Sequence, residues 1–171
     1  MTEITQFDLF GELPVADPPN GRNDVRKGDA AEMYVIAKLL RWGYDAQPAR
    51  RDLPYDIFVD LGSRRVCRLQ VKCRSHAQNG SWSYRVVRGN WRSATGTYQY
   101  EEGDYDASVF FALSLEKALF VPGIVEYANF RTEEFVRTDA EIESWLYSST
   151  RWSVAPITRA MKLDVGSIIR R

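Results

Sequence analysis

The chain has 171 residues, 44% hydrophobic and 27% charged, which suits one compact domain able to bury a core. No apolar run approaches the ~20 residues that span a bilayer, and no basic-then-apolar leader opens the sequence, so the expectation is a cytoplasmic protein without membrane contact. Lys plus Arg balance Asp plus Glu at 23 each, yet residues 22–92 hold 15 cations against 7 acids and residues 93–171 hold 8 against 12, a polarity that points to an anionic partner met by one region only.

Residues 1–23 read as a flexible tail, since Pro14, Pro18, Pro19, Gly21 and the small polar residues between them cannot build a core. Residues 24–171 read as a single domain. A helix is expected from Val25 to Trp42, capped by Asn23 or Asp24 and closed by Gly43. Val35, Ile36 and Leu39 form its apolar stripe, and Gly28 and Glu32 extend the stripe at i−4 steps, which places a carboxylate where burial is expected. Strands follow at Tyr44–Ala49, Tyr55–Asp60 and the strictly alternating Arg65–Arg74, the last two joined as a hairpin through residues 61–64. Trp82–Val87 adds a strand, and Trp91–Asp106 reads as a loop or bent ribbon. Ala107–Leu115 is an apolar strand covered on both faces, Glu116-Lys117 a turn and Ala118–Ile124 the returning strand. A last helix is expected over Thr138–Tyr147 through Ile142, Trp145 and Leu146.

Cys67 and Cys73 share the Arg65–Arg74 strand at about 20 Å, too far to bridge. With His76 the single histidine, neither a zinc site nor a serine–histidine triad is supported. The chemistry gathers elsewhere. Val66, Arg68, Gln70 and Lys72 point one way from that strand, and Cys67, Leu69, Val71 and Cys73 point the other, into the core. Asp56 begins the partner strand, so the hairpin can bring it beside Gln70 and Lys72, with Glu32 reaching in from the helix. Hard oxygen donors that leave a cation partly open suit Mg²⁺ or Mn²⁺, which polarises a phosphodiester and lowers the pKa of water, while a lysine alongside orients that water or stabilises charge at phosphorus. Glu32 has a second reading, as a buried ion-pair partner of Arg68.

The order Glu32, Tyr55-Asp56, Leu69-Gln70-Val71-Lys72 resembles the PD-(D/E)xK nuclease superfamily, and most closely the branch in which glutamine replaces the second acid, as in group I intron-encoded homing endonucleases. The run Lys27-Gly28-Asp29-Ala30-Ala31-Glu32 is also similar to archaeal Holliday-junction resolvases. The resemblance covers roughly residues 25–75 and weakens through Gly103–Asp106 and Ala107–Val121. It implies an α/β, restriction-endonuclease-like core with a mixed central sheet flanked by helices. It further implies divalent-metal cleavage of DNA, and a homodimer or higher oligomer. Residue by residue, Asp56 takes the metal-binding aspartate position, Gln70 that of the second acid, Lys72 that of the catalytic lysine and Glu32 that of the helix carboxylate. Two departures stand out: Tyr55 separates Pro54 from Asp56, and the neutral Gln70 removes one charge and shifts weight onto Glu32.

Arginines surround this constellation, interleaved with Trp82, Tyr84 and Trp91. Arg51, Arg68, Arg74 and Arg88 are the candidates for phosphate contact, whereas Trp82 and Tyr84 read as core or rim. In the tail, Gln6-Phe7-Asp8-Leu9-Phe10 resembles the peptides by which bacterial repair and replication proteins grip the sliding clamp. There Leu9 and Phe10 would fill an apolar pocket, with Gln6 hydrogen-bonding at its rim and Asp8 as the acidic spacer. Together these features point to a clamp-recruited, metal-dependent DNA endonuclease of repair or replication. The alternatives are an inactive DNA-binding module of the same fold and a sequence-specific homing or restriction enzyme.

Overall fold

The structure, a computed structural model, describes residues 23–89 and 96–151. Helix α1 (Asn23–Arg41) buries Ala31, Val35, Ile36 and Leu39 at helical spacing and leaves Met33 and Leu40 outside. It ends where Gly43 turns to φ +87° and the Gly43 and Tyr44 N–H groups reach back to the carbonyls of Leu40 and Leu39.

Strands β1 (Asp45–Pro48), β2 (Ile57–Gly62) and β3 (Arg65–Arg74) form an antiparallel run. The β2–β3 turn places Ser63 and Arg64 at φ +54° and +63°, the two-residue geometry whose twist matches that of the strands. Next come β4 (Ser81–Arg85), β5 (Arg88–Gly89) and β6 (Thr97–Tyr98), then β7 (Ala107–Ala112), which lies parallel to β3 from Leu69↔Ala107 to Arg74↔Ala112. Strand β8 (Lys117–Pro122) returns antiparallel and completes a five-stranded mixed sheet in the order β1-β2-β3-β7-β8. The chain finishes through β9 (Tyr127–Arg131), α2 (Thr132–Val136) and α3 (Ala140–Arg151).

Every residue of β7 is buried because both sheet faces are covered. On one face α1 and α3 pack Val35, Leu39 and Trp145 against Val59, Leu69, Val71, Phe111 and Phe120 of the sheet. On the other, the two-stranded β4–β9 sheet and α2 bring Trp82, Tyr84, Phe130 and Phe135 onto Phe110 and Leu119. The expected α/β architecture, a mixed central sheet flanked by helices, is therefore present.

Boundaries shift for local reasons. The apolar run 107–115 leaves the sheet after Ala112, since Leu113–Leu115 form one 3₁₀ turn closed by Glu116 at φ +52°. Trp82–Val87 shortens to β4 and pairs with β9, and among the described residues the segment 91–106 contributes only β6, which pairs back on β5. The final helix runs from Ala140 to Arg151 rather than Thr138 to Tyr147. Strand β9 and helix α2 were not expected, and the Glu134 carboxylate starts α2 by accepting the Arg131 N–H at 2.6 Å.

Edge strand β8 is sealed by side chains of α3. Glu141 accepts the Ala118 N–H at 2.7 Å, and Ser144 Oγ accepts the Phe120 N–H at 3.2 Å, so the outward donors of the edge are satisfied. Among the described residues no helix is long and apolar enough to cross a membrane. Cys67 and Cys73 are both free thiols, as their spacing required.

Candidate active site

The site forms where the β2–β3 ladder ends. Ile57 pairs with Leu69, and the Asp56 N–H still reaches the Leu69 carbonyl at 2.8 Å; beyond that, β3 continues alone on this side. The Val71 N–H, left without a strand partner, donates instead to Asp56 Oδ2 at 2.7 Å. Gln70 Nε2 donates to the same oxygen. Both bonds fall on Oδ2, so Oδ1 is the oxygen not taken up by them. Gln70 Oε1 likewise accepts no hydrogen bond among the described residues.

Glu32 enters from α1. Its carboxyl is raised from 4.5 to about 7, first by burial, then by the neighbouring charges of Asp56 and Asp29, with Arg51 and Lys72 opposing. Asp56 is also held above the ordinary aspartate value by burial, against the pull of the Val71 N–H, Lys72 and the Gln70 amide. Asp56 thus raises Glu32, and among the described residues no lysine or arginine closes an ion pair on the Glu32 carboxylate, although Arg51 and Lys72 act on it from a distance. The expected alternative for Glu32 fails on geometry. Arg68 pairs with Asp106, its Nη2 at 2.8 Å and Nε at 3.0 Å from the carboxylate, while its own N–H gives a third bond at 2.8 Å.

Lys72 Nζ donates to the Val87 carbonyl at 3.0 Å and to Tyr100 Oη at 3.3 Å, with the Tyr100 ring centroid 5.3 Å away. Burial pushes its ammonium below the ordinary lysine value, and Asp56 and Glu32 pull it back. The structure thus brings Glu32, Asp56, Gln70 and Lys72 into one electrostatic neighbourhood.

An open cleft of about 280 Å³ adjoins them, lined by Asp29, Glu32, Arg50, Arg51, Tyr55 and Asp56 among others. Gln70 and Lys72 do not line it, but adjoin it through Asp56. Arg51 is almost fully exposed at its mouth, 3.9 Å from Asp29. Arg88 reaches the same loop through the Asp52 carbonyl at 3.5 Å. Arg74 lies beyond Lys72, with its Nε on the Ser83 carbonyl. Arg68 has its guanidinium engaged by Asp106 and by the Gly103 carbonyl at 2.5 Å, which leaves it the least available of the four arginines. Trp82 and Tyr84 are core, at 2% and 1% exposure. Trp91 and the tail residues Gln6, Asp8, Leu9 and Phe10 lie outside the described residues.

Two participants were not legible in the sequence. Tyr100 was read only as part of a tyrosine- and acid-rich loop, and the Val87 carbonyl carries no side-chain signal.

A cation held here would find two carboxylates and an amide oxygen. Among the described residues no group of three or more His, Cys, Asp or Glu is placed to hold a metal, and the third donor expected from the sequence, Gln70, is neutral. All these donors are hard oxygens, and the Glu32 carboxyl, without an ion-pair partner among the described residues, is the group a divalent cation would relieve. The residues fit a hard divalent ion.

No curated protein significantly matches the sequence. Among solved structures, a bacterial homing endonuclease, I-Ssp6803I, superposes with a TM-score of 0.55 at 21% identity, over 75% of this chain and 95% of that one. At that identity the likeness concerns the fold. Residues 22–144 match the sequence profile of PD-(D/E)XK endonucleases, a span holding the site and the whole central sheet, and the chain belongs to that family.

Proposed function

We propose that the protein is a divalent-metal-dependent DNA endonuclease using Glu32, Asp56 and Gln70 as ligands of Mg²⁺ or Mn²⁺ and Lys72 as the catalytic cation. The observation that carries this reading is the neighbouring pair Glu32 and Asp56, which no lysine or arginine ion-pairs among the described residues, at the wall of an arginine-lined cleft. When bound, the metal would polarise a phosphodiester oxygen and acidify the attacking water. The chain's own part is to fix donors and charge: Asp56 is pinned by the Val71 and Gln70 donors, and Lys72 is positioned to stabilise charge developing at phosphorus. Arg51 and Arg88 flank the cleft as candidate phosphate contacts, with Arg74 further along β3 and Arg68 serving chiefly to hold Asp106.

Incubation with supercoiled, branched and mismatched DNA tests this directly. Cleavage is expected with Mg²⁺ or Mn²⁺ and none in chelator. Asp56→Asn and Lys72→Ala should each lower the rate about a thousandfold or more. Parent protein that cuts none of these substrates would leave a DNA-binding module in place of an enzyme, and a Lys72→Ala variant as fast as a cutting parent would remove Lys72 from the chemistry.

The biological setting rests on the tail. Gln6, Asp8, Leu9 and Phe10 would tether a homodimer or higher oligomer to the sliding clamp, where a raised local concentration substitutes for long sequence readout. Phe10→Ala should lower clamp capture at least about tenfold, because it removes an apolar anchor, and should leave cleavage of free DNA unchanged. Equal capture by both proteins would remove the repair and replication assignment. Cutting at one defined site without the clamp would favour a homing or restriction role.

A further inference from the structure

The Lys72 ammonium sits on a four-carbon stem and would ordinarily sample many rotamers. Here two of its three N–H groups are taken, one by the Val87 carbonyl and one by Tyr100 Oη, and the third has no protein acceptor among the described residues. The two acceptors bracket the β5–β6 ribbon, Val87 just before it and Tyr100 just after. The Tyr100 ring is itself held. It stands edge-on to Tyr105 at 5.0 Å and 82°, Tyr105 Oη lies 3.1 Å from Ser108 Oγ, and Ser108 donates to the Gly123 carbonyl at 3.2 Å. Ser108 lies on β7, so the chain of contacts from Lys72 returns to the central sheet that also carries Gln70.

We propose that Tyr100 is a positioning residue for Lys72, its hydroxyl and the Val87 carbonyl together fixing the ammonium so that the remaining N–H is free for the scissile phosphate. This rests on the nuclease reading above. Holding a reacting group in one orientation lowers the barrier without altering ground-state affinity for DNA. Its loss therefore falls on the rate of the chemical step.

Tyr100→Phe keeps the ring on Tyr105 and removes only the hydroxyl. The expected result is a single-turnover cleavage rate lowered about tenfold at saturating metal and DNA, with DNA affinity within about twofold and melting unchanged. In a Lys72→Ala background the same substitution should cost nothing further. A readout independent of cleavage is the ¹⁵Nζ signal of Lys72 in labelled protein, assigned with Lys72→Arg, which should shift or broaden in Tyr100→Phe. If the parent cuts no DNA the nuclease reading falls, and the Lys72 signal still decides the role of Tyr100. An unchanged Lys72 signal, a parental rate, or a loss seen only in Tyr100→Leu would overturn the proposal, the last by assigning the effect to ring packing.

Discussion

Glu32→Gln is expected to yield a protein that melts higher than its parent in chelator at pH 8 and yet cuts no DNA. The parent carboxyl titrates near 7 in the folded chain against 4.5 for a free glutamate. Its folded value is raised, so its contribution to stability is fully present below about 4.5 and is lost as pH rises through about 7. At pH 8 the ionised Glu32 faces Asp56 at a net cost. Allowing for solvent screening of a half-buried group, that cost is about 1–2 kcal/mol, or roughly 3–6 °C in melting temperature. Glutamine removes the charge and the cost together. Adding Mg²⁺ should stabilise the parent above pH 7, do so less as pH falls below 7, and do little for the variant, because the cation binds the ionised pair. Thermal melts at pH 5 and pH 8, with and without Mg²⁺, measure all of this. A variant that melts below its parent at pH 8 would mean that Glu32 is a structural group with a partner.

Glu141→Ala should behave in the opposite way, lowering stability strongly and leaving the chemistry intact. The Glu141 carboxylate is nearly buried and accepts from Lys38 Nζ at 2.7 Å, Lys117 Nζ at 3.1 Å and the Ala118 N–H at 2.7 Å. Truncation leaves a buried edge-strand donor and a largely covered Lys38 without their acceptor. The expected loss is about 2–4 kcal/mol, discounted because Lys117 remains partly in water, and it corresponds to roughly 5–15 °C. Cleavage per folded molecule at 25 °C should stay within about twofold of the parent, since Glu141 seals the β8 edge and Asp56 lies three strands away across the sheet. Glu141→Gln should fall between, as its amide oxygen still accepts from Ala118 but no longer neutralises two lysines. Denaturant unfolding of the three proteins is the measurement, and a Glu141→Ala variant as stable as the parent would show that helix α3 closes the edge by packing alone.

These two carboxylates also show where sequence reading succeeds and stops. Glu32 stood out because a charge interrupted an apolar helical stripe, and period alone placed it. The alternation of Arg65–Arg74 fixed both the bounds of β3 and the inward set Cys67, Leu69 and Val71, since side-chain direction along a strand is a local property. Glu141 carried no such mark. On a short amphipathic helix it reads as another surface acid, and only the packing of α3 against β8 turns it into a buried cap. The second reading of Glu32, as a partner of Arg68, fails for the same reason. Asp106 lies 38 residues away, and nothing local distinguishes it from Glu32 as a counter-charge. Gln70 was legible as a position but not as a role. That its amide nitrogen would be given to Asp56, with the oxygen left over, depends on β2 ending where it does. Strand β9 and helix α2 were missed because five-residue elements carry too few periods to stand out from a loop.

The tight turn at Ser63 and Arg64 has a consequence far from its own position. It lies about 20 Å along β2 from Asp56 and touches nothing at the cleft. Its two residues, together with the bulge between Asp60 and Gly62, set which side chain meets the Val71 amide, because register in a hairpin is carried from its closed end. With that bulge retained, deleting either one makes the strands slip. A slip of a single position would present Tyr55 or Ile57 to Val71 and turn the carboxylate to the opposite face. Exposed turns are usually where a chain tolerates changes in length. In this protein, a one-residue deletion at such a turn would reach the candidate site, and two descendants differing only there would differ in whether the proposed ligand Asp56 is held on the Val71 amide.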